Sequence, residues 1–163
     1  MSKKSEFEKL LAETELEMDD ILQEKCSEDN ISQKGKFNVI NINQIEFDKE
    51  VVEEPLEWYR PGIQISVLNK LKKIKRSYDF REGKIDLHGE TINSAQLNIN
   101  QHMEKCFISG IKQILIITGK GTAEISPLKK LVFMMLKKYS IVEAFCLATN
   151  HGGSGAFYVQ IKN

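Results

Sequence analysis

The sequence predicts an α/β domain with the element order β-α-β-α-β-β, standing behind an acidic N-terminal arm. Three observations predict it. From residue 84 onward, short β-branched runs alternate with segments of helical periodicity. Residues 112–118, "KQILIIT", form an unbroken apolar run, the pattern of a strand buried on both faces. The formal charge of zero hides a split: residues 1–60 hold 8 Lys+Arg against 16 Asp+Glu, and residues 61–163 hold 15 against 7. An acidic arm and a basic body follow, and a basic body can attract phosphates. Lysines that merely solvate a surface would give the same count.

The elements follow in order. Residues 5–24 carry Phe7, Leu10, Leu11, Met18, Ile21 and Leu22 on one stripe among acids, which predicts an amphipathic helix. Residues 25–55 are polar and Asn-rich, and read as linker with short extended pieces at "FNVINI". This arm, residues 1–55, either folds back on the body or tethers a protein partner. Residues 56–82 form a basic helical lead-in. Trp58 and Tyr59 precede a Pro61-Gly62 turn, after which Ile63, Val67, Leu68 and Leu71 give a helical stripe. Lys70, Lys72, Lys73, Lys75 and Arg76 crowd its C-terminal half. Cations there suit the helix dipole, and equally make a phosphate-facing ramp.

The domain proper spans residues 83–163. "KIDLH" is its first strand. Residues 91–109 are a helix, with Ile92, Ala95, Ile99, Met103 and Cys106 at helical spacing. Residues 112–118 are the second strand. Residues 126–139 are the next helix, with Ser126 as N-cap and Pro127 as first helical residue. "IVEAFCLAT", 141–149, is the third strand, "NHGGSG" a glycine-rich turn, and "AFYVQIK", 156–162, the fourth strand. Strands one to three are expected to run parallel through right-handed crossovers, with the fourth antiparallel to the third. The result is a compact two-layer domain with a mixed four-stranded sheet.

No apolar run approaches the ~20 residues that span a bilayer. The lysines of "MSKKSEFEKL" have no apolar stretch behind them, so this is not a secretory signal. Cys26, Cys106 and Cys146 are odd in number and far apart, which fits reduced thiols in a cytoplasmic protein.

If the first three strands are parallel, the loops after them share one edge of the sheet, where α/β proteins bind ligands. Those loops are His88-Gly89-Glu90, Thr118-Gly119-Lys120-Gly121, and the turn His151-Gly152-Gly153-Ser154-Gly155. Alternation along the first strand puts Asp86 and His88 on one face. Gly89 permits a sharp turn and Thr91 can cap the following helix. A carboxylate beside an imidazole orients it for proton transfer. The other reading is that Asp86 caps a turn and His88 is structural. "TGKG" could hold a phosphate through backbone N–H groups and Lys120. It is neither a P-loop nor the dinucleotide fingerprint, and "GGSG" departs from a nucleophile elbow. Taken alone, either loop is also a plain tight turn. His102 lies on a helix flank as a structural residue. No histidine spacing supports a metal site.

Together these motifs resemble a known family. "IDLHGETINSA" looks like the L-D-L-H-G-x-T motif of Smr (small MutS-related) domains, "ILIITGKG" resembles their second motif, H-G-x-G or T-G-x-G, and "HGGSGAFYVQIK" resembles their closing strand motif. "WYRPGIQISVLNKLKKIK" is similar to the segment that precedes the domain in stand-alone bacterial members. The resemblance covers roughly residues 56–163. It implies a βαβαββ sandwich similar to the C-terminal domain of translation initiation factor three. It also implies binding of nucleic acid, RNA or DNA, and endonuclease activity, some members acting on ribosomes. The family motif falls on Asp86 and His88 as the catalytic pair. It places Thr118, Gly119, Lys120 and Gly121 in the second loop, where other members carry a histidine at position 118. His151, Gly152, Gly153, Lys72, Lys73 and Arg76 complete the expected nucleic-acid surface. No cofactor is expected, except a divalent metal if the substrate is DNA, which has no 2′-OH to attack. The alternative is a non-catalytic nucleic-acid- or ribosome-binding module.

Overall fold

The computed structural model describes residues 36–122 and 125–162. The helix expected at 5–24 lies outside the described residues. From Phe37 onward the chain forms one unit. Its elements are α1 (Gln44–Lys49), β1 (Trp58–Tyr59), α2 (Ile65–Lys72), a 3-10 turn (Arg81–Gly83), β2 (Lys84–Asp86), α3 (Ile92–Ile108), β3 (Gln113–Ile117), α4 (Pro127–Lys138), β4 (Val142–Ala148) and β5 (Gly153–Ile161).

The sheet has five strands in the order β1-β4-β5-β3-β2. β2 pairs parallel with β3, while β5 pairs antiparallel with both β3 and β4. β2, β3 and β4 therefore run in one direction, as the sequence predicts, with β5 reversed between β3 and β4. Two features go beyond the four-stranded expectation. β5 is central rather than terminal, and the two-residue strand β1 adds an edge beside β4. β5 tolerates the central place because Ala156 to Val159 are all buried.

Two apolar layers hold the sheet. On one face, α3 and α4 bury Ala95, Ile99, Met103, Leu131 and Met135 against Leu87, Ile114, Ile116, Phe145, Phe157 and Val159. Both helices start as expected. Thr91 Oγ1 accepts from the Ser94 N–H at 3.2 Å, and Ser126 Oγ accepts from the Lys129 N–H at 3.3 Å with Pro127 behind it. On the other face, α2 lays Leu68 and Leu71 beside Ala144, Cys146 and Tyr158. It packs on β4, β5 and β1. Burial of two leucines at about 1.5–3 kcal/mol each is enough to seat a helix of this length.

The stretch read as linker behaves otherwise from residue 37. Phe37, Ile40, Ile42, Phe47 and Val52 join the main core. A buried side chain does the strapping. Asn100 Oδ1 accepts from the Ile40 N–H at 2.8 Å, and its amide donates to the Ile40 carbonyl at 2.7 Å. Gln96 Oε1 accepts the next amide of the strap, that of Ile42, at 2.8 Å. Tyr139 Oη donates to Asn100 Oδ1 at 2.8 Å. The extended segment thus gets its backbone partners from helix side chains instead of a neighbouring strand. Asn43 then caps α1 in a capping box with Glu46. Among the described residues, no helix is long and apolar enough to cross a membrane.

Candidate active site

β2 ends at Asp86, and its ladder continues one residue further through the Leu87 N–H to the Ile117 carbonyl at 2.7 Å. The chain then turns. The Glu90 N–H reaches the Leu87 carbonyl at 3.1 Å, with Gly89 at φ +77°, a conformation that favours glycine. The turn aims His88 back along the strand end. Asp86 Oδ1 lies 2.7 Å from His88 Nδ1 and also accepts the His88 backbone N–H at 3.1 Å. The carboxylate thereby fixes Nδ1 as the protonated nitrogen and leaves Nε2 free. The imidazole side chain is 74% exposed. Partial desolvation pushes the Asp86 carboxyl upward. The hydrogen bonds from the His88 ring and backbone, with the charges of His88 and Lys84, outweigh it and hold the group below its usual range.

The second loop comes against the first because glycines allow it. A Cβ on Gly119 would lie 3.4 Å from His88 Cβ, so this loop abuts the imidazole's stem. A Cβ on Gly155 would lie 2.8 Å from the Gly119 carbonyl carbon and 3.0 Å from the Lys120 nitrogen. That close approach is fastened by the Thr118 and Gly119 N–H groups, which both donate to the Gly155 carbonyl at 2.8 and 3.0 Å. Gly121, at φ +67°, passes Ser126 so closely that a Cβ would lie 2.6 Å from the serine's. Between the loops lies a cleft of about 420 Å³. His88, Gly89, Glu90, Thr118, Gly119 and Gly121 line it, and the first residues of α4 close it. A helix N-terminus there contributes partial positive charge.

The expected site residues do not all meet at the cleft. Asp86, His88, Gly119 and Gly121 come together. Thr118 borders the cleft but is buried, and its hydroxyl turns inward to the Gly155 carbonyl at 3.2 Å. Lys120 is exposed at the loop tip. His151 is not part of the cleft lining. Its Nδ1 meets the Tyr158 hydroxyl at 2.5 Å, and its ring stands edge-on to Phe80 at 5.2 Å. Gly152 and Gly153, at φ +140° and +62°, shape the β4–β5 turn. Lys72 is tied to Glu57 at 2.6 Å, while Lys73 and Arg76 are exposed beyond α2. His102 is structural: its Nε2 lies 3.5 Å from Cys106 Sγ, and desolvation lowers its pKa.

Two contributors stood in the predicted loops without an assigned role. Gly155 is the wedge that brings the loops together. Glu90 lines the cleft with a carboxylate held by Ser94 Oγ at 3.0 Å and Asn98 Nδ2 at 2.9 Å. The spacing of Glu90, Ser94 and Asn98, four residues apart on one helical face, was a signal for it.

The Smr domain family model matches residues 85–162, the part of the chain that holds β3 to β5, most of β2 and the cleft. Among curated proteins, the "Probable DNA endonuclease SmrA" of Escherichia coli is 28% identical over 138 residues, covering 82% of this chain and 67% of that protein. The "Endonuclease MutS2" of Clostridium tetani is 26% identical over 125 residues, covering 76% of this chain. This chain spans only 15% of that MutS2. Among solved structures, YdaL, a stand-alone small MutS-related protein from Escherichia coli, superposes with a TM-score of 0.60 at 29% identity. The match covers 83% of this chain and 96% of YdaL.

Proposed function

We propose that the chain is a Smr-type endonuclease that cleaves phosphodiester bonds of nucleic acid, RNA in preference to DNA. The observation that carries this reading is the Asp86–His88 pair, placed beside the glycine loop with its free nitrogen toward solvent. His88 Nε2 takes the proton of the attacking hydroxyl, or gives one to the leaving oxygen. Asp86 keeps the ring in the right tautomer and stabilises the imidazolium. Gly121 and the N-terminus of α4 line the cleft where charge develops on phosphorus, and Lys120, exposed at the loop tip outside that lining, adds positive charge nearby. The Thr118 and Gly119 amides are already spent on Gly155, so they are not donors to the substrate. On RNA the ribose 2′-OH is the nucleophile. On DNA water must attack, and a divalent metal then supplies its activation.

One observation favours a second reading, a binding module without catalysis. Thr118 occupies the loop position where other members carry histidine, and its hydroxyl is turned inward. The test is incubation of the pure protein with end-labelled RNA and duplex DNA, each with and without EDTA. Discrete cuts in RNA that survive EDTA support the enzyme. Binding of both without any cut supports the module.

A further inference from the structure

A groove of about 1080 Å³ lies at the opposite edge of the sheet from the Asp86–His88 cleft, where β2 and β3 begin and β5 ends. Three cations border it, Lys75, Arg81 and Lys112, together with the amides of Gln113 and Gln160 and the ring of Tyr78. Tyr78 is 44% exposed. Its ring is pinned edge-on by Phe80 at 4.8 Å, and Phe80 in turn stacks on Tyr158 at 5.6 Å. The carboxylates of Asp79 and Glu82 are also present, but each has a cation of its own, Arg81 at 3.8 Å and Lys105 at 3.7 Å.

The rim is shaped by local hydrogen bonds. Arg81 sits at φ +45°, a strained conformation for a residue with a side chain. Asp79 Oδ1 holds it there by accepting the Arg81 N–H at 2.9 Å, and the Gly83 N–H closes the turn on the Phe80 carbonyl at 2.8 Å. Gly83 then lies so close to β3 that a Cβ would be 2.7 Å from the Gln113 carbonyl oxygen.

The groove and Asp86 lie along one sheet face, the one opposite α3 and α4, and the cleft opens at the end of that face. Gln113 pairs with Gln160, Lys84 with Leu115, and Asp86 with Ile117. Side chains alternate along a strand, so Gln113, Lys84 and Asp86 project from the same face. Lys84, exposed, stands between the groove and Asp86. α2 covers β4 and β5 on this face. From Gln113 to the level of His88 is six residue steps, about 20 Å at roughly 3.3 Å each.

We infer that this groove binds a single-stranded segment of the substrate, with a base stacked on Tyr78 and phosphates against Lys75, Lys112 and Lys84, and that the strand runs along β2 to the cleft. Cations interleaved with an aromatic platform and amides are the chemistry of single-strand recognition. At about 3.4 Å per stacked nucleotide the track holds some six nucleotides. The inference rests on the nuclease reading for its direction, and its test does not depend on cleavage.

The full chain carrying His88→Ala is titrated into fluorescent oligo(U) of 4 and of 12 nucleotides, by anisotropy across a salt series. Lys75→Ala/Lys112→Ala, changed at exposed positions, is expected to lower the salt slope for the 12-mer by about 1.4, at roughly 0.7 per phosphate on a single strand. Tyr78→Ala is expected to weaken the 12-mer at least about fivefold with the slope unchanged. Neither change should move the 4-mer, which can occupy the cleft alone. A 12-mer indifferent to all three substitutions would overturn the groove. A 12-base-pair duplex bound as tightly as oligo(U), and indifferent to Tyr78→Ala, would overturn the single-strand assignment. If the unmodified chain cuts nothing while these shifts are seen, the nuclease reading fails and the groove stands.

Discussion

Gly155→Ala tests whether the wedge between the loops builds the cleft. Gly155 has an ordinary φ, so alanine there meets no backbone penalty of its own. The cost is contact. The new methyl would lie 2.8 Å from the Gly119 carbonyl carbon, 3.0 Å from the Lys120 nitrogen and 3.1 Å from the Gly119 oxygen. All three are backbone atoms and cannot rotate away. An ordinary carbon contact needs about 3.5 Å, so the loop must retreat by roughly 0.5–0.7 Å. That retreat stretches the two amide bonds to the Gly155 carbonyl, worth about 1 kcal/mol each. A loss of about 2 kcal/mol is therefore expected, within the usual range for overpacking. Gly119 touches the stem of His88, so its displacement also misplaces the Asp86–His88 pair, which on the proposed nuclease function costs about tenfold in cleavage for half an ångström. The assay pairs urea melts with single-turnover cleavage at a temperature where both proteins are folded. Gly110→Ala is the control. Gly110, at φ +71°, ends α3 far from the cleft, so the change should cost about 1 kcal/mol and spare cleavage. A Gly155→Ala protein as stable and as active as its parent would refute the wedge. One that is destabilised but fully active would refute its link to the site.

Three further outcomes follow from the same structure. A chain starting at residue 37 should melt cooperatively, whereas one starting at residue 53 should lose its cooperative melt in calorimetry, because it lacks Phe37, Ile40, Ile42, Phe47 and Val52. Asn100→Leu should cost at least about 2 kcal/mol in urea melts, since it leaves the Ile40 amide and carbonyl and the Tyr139 hydroxyl without their partner. Burial pushes the Cys106 and Cys146 thiols up to about 11, from 9.0, so the neutral form is the one the fold favours. Their contribution is complete below pH 9 and is lost as pH rises towards 11. The melting temperature should fall across that window, and less so in a Cys106→Ala/Cys146→Ala protein.

Much of this architecture was legible because it is written locally. The strand-to-helix turn at Gly89, the Thr91 and Ser126 caps, and the stripe of α3 each depend on neighbours in sequence. The common direction of β2, β3 and β4 followed from crossover handedness. What was not legible depends on distant partners. The core role of Ile40 and Ile42 comes from Asn100 and Gln96, more than fifty residues away, so "FNVINI" looked like linker. β1 is two residues long and has no period to detect. In the site, the Asp86–His88 pairing followed from strand alternation. The diversion of His151 to Tyr158 and Phe80 did not, because it depends on the lead-in segment folding over β5.

The central claim is that Asp86 and His88 act as one unit on a phosphodiester. It is tested most directly by single-turnover cleavage of a labelled RNA by the parent chain, His88→Ala, Asp86→Asn and the double variant, with affinities measured in parallel. His88→Ala should abolish cleavage while affinity stays within a few-fold, because backbone contacts supply most of the binding. Asp86→Asn should retain a slow residual rate, and the double variant should be no worse than His88→Ala alone. A folded His88→Ala protein that cuts at the parent rate would contradict the account.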